Sequence, residues 1–415
     1  MSGTSRCRTE APGFQNDRQN DRQNNRRNLR RRLRRTSLLL VLGLSIGCFG
    51  LPNAEAMETA AREAILIDYD TGTVLFEKNA DTAAPPASMS KMMTAYMLFD
   101  KLKSGQIKLD QTMPVSEHAW RAGGAASGGS TMFLNIGDQV PIEDLLRGIV
   151  IQSGNDASIV VAEGLAGSEE AFAEQMTKKA KELGMSNSQY RNANGLPDPG
   201  EYTTARDLST LARRTIGDFP EYYRYYAERE FVHNNIKQGN RNPLLYKNIG
   251  ADGLKTGHTK EAGYCLTASA KQGDRRLILV VTGLPSMKAR SEESEKLISW
   301  GFREYDNYTL FKAGEEVAKA PVWLGDEGTV ALVPAKDAIV TLPRKSRPDM
   351  KVTVVMDEPI PAPITKGETV AKLVVTAPGL DKPEEIPLVA ATDVPRLGFF
   401  GRVFASIGHR IGSIF

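Results

Sequence analysis

The chain has 415 residues, 41% apolar and 25% charged, a balance that excludes both a disordered chain and a multi-span membrane protein. Its length exceeds one ordinary core and implies at least two domains. Residues 1–56 hold 11 of the 53 Lys and Arg and 4 of the 50 Asp and Glu, so the formal charge of +3 becomes 42 basic against 46 acidic residues, a net of −4, without them. Basicity confined to one end gives no support for nucleic-acid binding.

In that first segment a basic run ends in Arg34-Arg35, an apolar stretch follows from Leu38 to Leu51, and Ala54-Glu55-Ala56 comes next. The apolar stretch is shorter than the roughly 20 residues a spanning helix needs, and the small-residue site completes the pattern of a secretory signal peptide over 1–56. Export would remove Cys7 and Cys48 and leave Cys265 alone, so the mature chain can form no internal disulfide. Cys265 itself reads as a small buried apolar side chain.

The runs from Ala64 to Asp70 and from Thr73 to Glu77 flank Asp70-Thr71-Gly72 and predict a β-hairpin. Pro85-Pro86-Ala87 then breaks the chain. Ser88 opens a segment whose Met92, Met93, Tyr96, Met97 and Leu98 recur at helical spacing, which places Ser88 at a helix N-terminus. Helical patterns continue over 141–151, 157–165, 169–183 and 204–216. Strand character returns at 230–233, 263–270 and 276–283, before an amphipathic helix over 291–305. Strands at both ends with helices between predict an α+β domain over 57–312 whose terminal strands share one sheet.

Over 313–392, short β-prone runs at 320–324, 328–333, 338–342, 350–356 and 368–375 alternate with Pro and Gly, which predicts a small all-β sandwich or barrel. The terminal segment, 393–415, places Leu397, Phe400, Val403, Phe404, Ile407, Ile411, Ile414 and Phe415 on one helical face and Arg402, Ser406, His409 and Ser413 on the other. No acidic residue follows Asp393. A cationic helix with a Phe-rich face predicts an anchor lying in the headgroup plane of a membrane.

Three separated motifs carry chemistry. In Ser88-Met89-Ser90-Lys91 the three-residue step is nearly one helical turn and sets Lys91 beside Ser88. A serine hydroxyl needs an adjacent base, and a lysine serves only when burial or neighbouring positive charge frees its amine. Ser153-Gly154-Asn155 offers a hydroxyl and a carboxamide on a tight turn, which suit proton relay and amide binding as well as a plain turn and cap. Lys255-Thr256-Gly257 opens a strand region, where a cation, a hydroxyl and a residue without a side chain can receive a terminal carboxylate. Each motif alone is ambiguous.

In the order S-x-x-K, S-x-N, K-T-G, spaced by 65 and 102 residues, they resemble the signature of serine penicillin-binding proteins and β-lactamases. The stretches PPASMSKMMTAYML, IQSGNDASIVVAE, NANGLPDPGEYTTARDL and DGLKTGHTKEAGYCLTASA are similar to the low-molecular-mass D-alanyl-D-alanine carboxypeptidases. That likeness runs from about residue 60 to the C-terminus, including the β domain and terminal helix.

The resemblance implies an antiparallel sheet with helices and a helical subdomain, and hydrolysis of a peptidoglycan pentapeptide through an acyl-enzyme. Ser88 would be the nucleophile, Lys91 its base, and Ser153 the proton relay to the leaving D-alanine. Asn155 would hold the acyl amide, Lys255 would lower the Lys91 pKa and supply positive potential, and Thr256 and Arg290 would bind the carboxylate. The backbone N–H groups of Ser88 and His258 would form the oxyanion hole beside Gly257. No metal or cofactor is implied. β-Lactams would acylate Ser88, and because no E-x-x-L-N follows the second motif the adduct would persist.

Overall fold

The run Ala64-Ile65-Leu66-Ile67 lacks the alternation of a half-exposed strand because both of its faces are covered. In the computed structural model, which describes residues 8–10, 57–380, 382–399 and 401, the strand Glu63–Asp68 is buried along its whole length. It sits second in a five-stranded antiparallel sheet of order Val74–Lys78, Glu63–Asp68, Arg275–Leu284, Gly263–Gln272, Ala251–Thr259. The two ends of the first domain thus meet in one sheet, as the order of elements predicts, with Ile65 opposite Val280 and Ile67 opposite Ile278.

Leu66, Leu277, Leu279 and Val281 pack on one face against Leu297 and Ile298 of the helix Met287–Glu304. A Cβ at Gly301 would lie 2.7 Å from Leu66 Cδ2, so the glycine lets that helix close onto the sheet. Ile65, Ile67, Ile278 and Val280 face the larger core, which contains the helices Lys91–Lys103, Asn155–Ala166, Glu169–Glu182 and Ala205–Asp218. The helix Lys91–Lys103 is buried from Lys91 to Phe99, so it runs through the interior with hardly any polar face.

The structure departs from the sequence expectations where the cues lie in caps and backbone. The last helix of the domain starts at Met287, because Ser286 accepts from Ala289 N and caps a turn whose exposed Met287 shows no apolar periodicity. Lys255-Thr256-Gly257 belongs to its own strand, paired antiparallel with Gly263–Gln272. The short helix Glu117–Gly123, capped by Ser116, carries too few apolar residues to register as periodic.

The second domain has its own core of Leu332, Val354, Leu373, Leu388, Ala390 and Val394. Strand Tyr305–Phe311 pairs with Ala338–Pro343, while a larger sheet runs Arg8–Glu10, Lys351–Met356, Thr369–Thr376, Glu384–Ala390, Thr329–Pro334, Ala318–Trp323, Ile360–Pro361. Val394 is fully buried and bridges Ile364, and Leu397 N donates to Leu324 O. The start of the terminal segment is therefore bound into the β domain instead of belonging to a free helix. Phe400 and the residues from Arg402 onward lie outside the described residues, as does the leader apart from Arg8–Glu10.

The two domains meet over a buried ion pair. Arg275 Nε lies 3.0 Å from Asp68 Oδ2, with the two side chains 9% and 0% exposed. Arg275 Nη1 donates to Tyr305 O at 2.6 Å, Asn307 Nδ2 donates to Asp68 Oδ1 at 3.1 Å, and Thr341 donates to Asn307 Oδ1 at 2.9 Å. Removing one member of such a pair strands the other charge, so Asp68→Ala is expected to cost about 3–5 kcal/mol. Thermal unfolding followed by calorimetry checks this, and Asp68→Asn, which keeps an acceptor for Asn307, is expected to lose less.

Candidate active site

The Ser88 turn is built under constraint. After Pro85-Pro86 the chain makes a tight 3-10 turn over Ala87–Ser90 and runs straight into the helix Lys91–Lys103. Ala87 has φ 49°, a left-handed conformation that costs a residue with a side chain about 1–3 kcal/mol. Two glycines hold it there. A Cβ at Gly257 would lie 3.1 Å from Ala87 Cβ, and one at Gly195, where φ is +76°, would lie 1.8 Å from Ala87 O. The K-T-G strand and the loop 192–201 thus press on the turn from different parts of the chain. Ser88 remains half-buried while Ala87 and Met89 on either side are buried.

Lys91 is wholly buried and reaches three neutral acceptors: Ser88 Oγ at 3.1 Å, Asn155 Oδ1 at 2.7 Å and Asn194 O at 2.5 Å. Burial, and then the positive charge of Arg241, lower its pKa to about 7, against the smaller opposing pull of Glu201, Asp156 and Glu169. Lys255, 2% exposed, donates to Thr256 O at 3.0 Å. Burial drives it well below the ordinary lysine range as well, with Lys91, Arg241 and Arg290 adding repulsion. The Lys91 charge thus acts on Lys255, whereas burial and Arg241 are what favour the amine form of Lys91 beside the Ser88 hydroxyl.

Ser153 ends a wide turn over Gly148–Gln152 with φ 67° and is 2% exposed. Gly154 N donates to Gly148 O at 2.8 Å, and Asn155 then opens the helix Asn155–Ala166 with its N–H on Ser130 O at 2.7 Å. The buried Asp156 carboxylate accepts from Thr131 Oγ1 at 2.6 Å, Met132 N at 3.0 Å and Leu134 N at 3.2 Å. The segment 130–134 is thereby tied to the same helix start that presents Asn155 to Lys91.

Thr256 is 6% exposed, while His258 is exposed and its ring lies 4.0 Å from that of Tyr264. Arg290, near the start of the last helix, is 7% exposed, stands over the Tyr264 ring at 5.9 Å and donates to Arg241 O at 3.4 Å. The structure thus brings Ser88, Lys91 and Asn155 into direct contact and sets Gly257 against the turn, with Ser153 beside Asn155, and Lys255 and Thr256 on the Gly257 strand. Arg290 joins through Arg241.

Arg241 itself, with Ser130, Asp156 and Glu201, carries no spacing signal in the sequence. Its guanidinium donates to Ser130 Oγ. The loop that presents it is held by two buried asparagines: Asn240 Nδ2 donates to Glu228 O at 2.9 Å and Asn242 Nδ2 to Gly253 O at 2.8 Å. The polar string Asn240-Arg241-Asn242 was the available cue, and from sequence alone it reads as an ordinary loop. No group of three or more His, Cys, Asp or Glu able to hold a metal ion occurs among the described residues.

A serine hydroxyl paired with a buried amine, under a strand that offers cationic and hydroxyl groups, is the constellation of a Ser-Lys acyl-transfer enzyme. The D-alanyl-D-alanine carboxypeptidase family profile matches residues 52–286, and that of the penicillin-binding protein 5 C-terminal domain matches 305–396. The chain is 43% identical over 353 residues to the D-alanyl-D-alanine carboxypeptidase DacC of Escherichia coli (strain K12), covering 84% of this chain and 88% of that protein. It is 41% identical over 346 residues to DacA of the same strain, covering 83% and 86%. Penicillin-binding protein 5 from Haemophilus influenzae superposes with a TM-score of 0.78 at 37% identity, over 82% of this chain and 99% of that one. The chain belongs to the D-alanyl-D-alanine carboxypeptidase family.

The Lys91 environment sets a pH dependence. Only the amine form of a lysine can accept a proton from a neighbouring hydroxyl, so acylation through this pair is expected to be slow in acid, to rise as pH passes upward through about 7, and to level off above it. Stopped-flow acylation by a chromogenic β-lactam across pH 5 to 9 measures the limb.

Proposed function

We propose that this chain is a serine-type D-alanyl-D-alanine carboxypeptidase that works through an acyl-enzyme on Ser88 and trims the terminal D-alanine from peptidoglycan stem peptides. One observation carries the assignment of roles: Lys91 Nζ stands 3.1 Å from Ser88 Oγ in a cage of neutral acceptors. Ser88 Oγ attacks the carbonyl carbon of the penultimate D-alanine as Lys91 takes its proton. Two backbone N–H groups, of Ser88 and His258, hold the oxyanion, each worth about 3 kcal/mol in such sites.

The C–N bond then breaks as Ser153 passes a proton to the departing D-alanine amine and regains one from the Lys91 ammonium, which returns to the amine. Water adds to the resulting ester and returns the proton to Ser88. Asn155 binds the acyl amide, and Thr256 with Arg290 receives the terminal carboxylate in a field made positive by Lys255 and Arg241. A β-lactam follows the same first step, but its leaving amine stays tethered to the acyl group, so Ser88 remains blocked.

The family works at the bacterial cell wall, and the leader over 1–56 and the cationic terminal segment support a periplasmic enzyme held at the membrane surface. No helix among the described residues is long and apolar enough to span a membrane. The β domain, between site and anchor, would set the height of the cleft above the lipid.

Labelled penicillin is expected to attach to the wild-type chain, and Ser88→Ala to lose both the label and release of D-alanine; persistence of the label would remove Ser88 from its role. Truncation after Leu397, which spares the contacts of Val394 and Leu397, is expected to move the protein from the membrane to the soluble fraction with its penicillin acylation rate unchanged. Fractionation and labelling of the truncated chain check both halves.

A further inference from the structure

One buried titratable group at the site has no part in the steps above. Glu201, 8% exposed, closes the loop 192–201. Its Oε1 accepts from Ser90 Oγ at 2.8 Å, and its Oε2 accepts from Asn192 Nδ2 at 3.0 Å. Ser90 lies inside the turn, between Ser88 and Lys91. Asn192 Oδ1 in turn accepts from Asn194 N at 3.2 Å and Gly195 N at 2.6 Å. Asn194 O is the 2.5 Å acceptor of Lys91, and Gly195 is the residue packed on Ala87 O. Contacts from Glu201 therefore reach Lys91 by two routes, through Ser90 in the turn and through Asn192 and Asn194 in the loop.

We propose that Glu201 is a positioning residue, a carboxylate that clamps the loop 192–201 to the Ser88–Lys91 turn and keeps the Lys91 amine on Ser88 Oγ. This rests on the reading of Ser88 as nucleophile and Lys91 as base. Both carboxylate oxygens are taken up by side-chain donors, which suits a clamp and leaves the activation of water to other groups. A carboxylate accepts from both partners at once with a charge behind each bond. A glutamine with its oxygen on Asn192 Nδ2 would turn its amide to Ser90 Oγ, which would then accept instead of donate, so the variant keeps a neutral contact and loses the two charge-assisted ones.

The clamp also acts through charge. Burial raises the Glu201 pKa to about 7, with Asp198 adding repulsion and Ser90, Asn192 and Lys91 favouring the anion. Tyr190 also faces this carboxylate. Lys91 is surrounded by Arg241, Lys255, Asp156, Glu169 and Glu201, and the Glu201 charge holds the proton on Lys91. Removing that charge favours the free amine, so the acid limb of acylation moves to lower pH while the loosened turn slows the plateau.

The test is the acylation rate by labelled penicillin against pH, measured on the full chain for wild type, Glu201→Gln, Ser90→Ala and the double variant. Glu201→Gln is expected to lower the plateau about tenfold and to shift the acid limb to lower pH, and the double variant to be no slower than Glu201→Gln, as for two ends of one contact. An acid limb that stays in place, whatever the plateau, overturns the proposal, as does a double variant whose losses multiply. Should Glu201→Gln fail to fold, Ser90→Ala is expected to slow acylation about threefold or more, and an unchanged rate overturns the clamp. Ser88→Ala, run alongside, separates the two levels: label lost from Ser88→Ala with an unmoved Glu201→Gln limb refutes only the clamp, whereas label retained refutes the site.

Discussion

A wholly buried lysine without a carboxylate bonded to it is the constraint around which the catalytic domain is organised. An isolated ammonium in the interior is too costly to keep, so the group either finds an anion or sheds its proton. Lys91 is met by a hydroxyl, a carboxamide oxygen and a backbone carbonyl, three dipoles that orient an amine without fixing a charge on it. The carboxylates that act on it, Glu201, Asp156 and Glu169, are engaged with other donors, and Arg241 opposes them. Folding thereby sets a lysine amine beside a serine hydroxyl near neutral pH.

Holding that amine in place requires backbone conformations that local sequence disfavours. Ala87 and Ser153 both sit at positive φ, one just before the nucleophile and the other in the second motif. Neither is a glycine, so each is maintained by its surroundings. For Ala87 the surroundings are Gly257 and Gly195, whose missing side chains let a strand and a loop come within contact of the turn. A single sheet makes this possible: strands from the start and end of the domain pair as neighbours, and Ala251–Thr259 at its edge carries K-T-G to Ser88 although Lys255 lies 167 positions after Ser88.

Much of this was legible from residues alone, and the reason differs by element. The hairpin, the nucleophile helix, the helical stretch to residue 218 and most strands of the β domain follow from apolar periodicity and turn residues, which are local signals. The three motifs, each ambiguous alone, could be placed together because their order and spacing resemble the signature of serine penicillin-binding proteins. What stayed hidden depends on tertiary contact. Arg241 is an ordinary loop arginine until two buried asparagines aim it at the site. Tyr305–Phe311 and Glu384–Ala390 alternate too weakly to mark themselves as strands, being only partly buried. Val394 and Leu397 fit an amphipathic helix by pattern, yet backbone bridges to Ile364 and Leu324 take them into the β domain.

Glu201 shows the same limit from the other side. In the sequence, the lack of an E-x-x-L-N after the second motif removes one deacylating glutamate, and the inference about a lasting adduct follows from that absence. The structure nonetheless sets a glutamate from the loop 192–201 under the nucleophile turn, with a pKa near that of the base. Position decides its chemistry: a carboxylate whose oxygens are held by Ser90 and Asn192 stabilises the turn, while one open to the cleft would deliver water to the ester. Which donors a loop glutamate meets is a property of packing that composition cannot express.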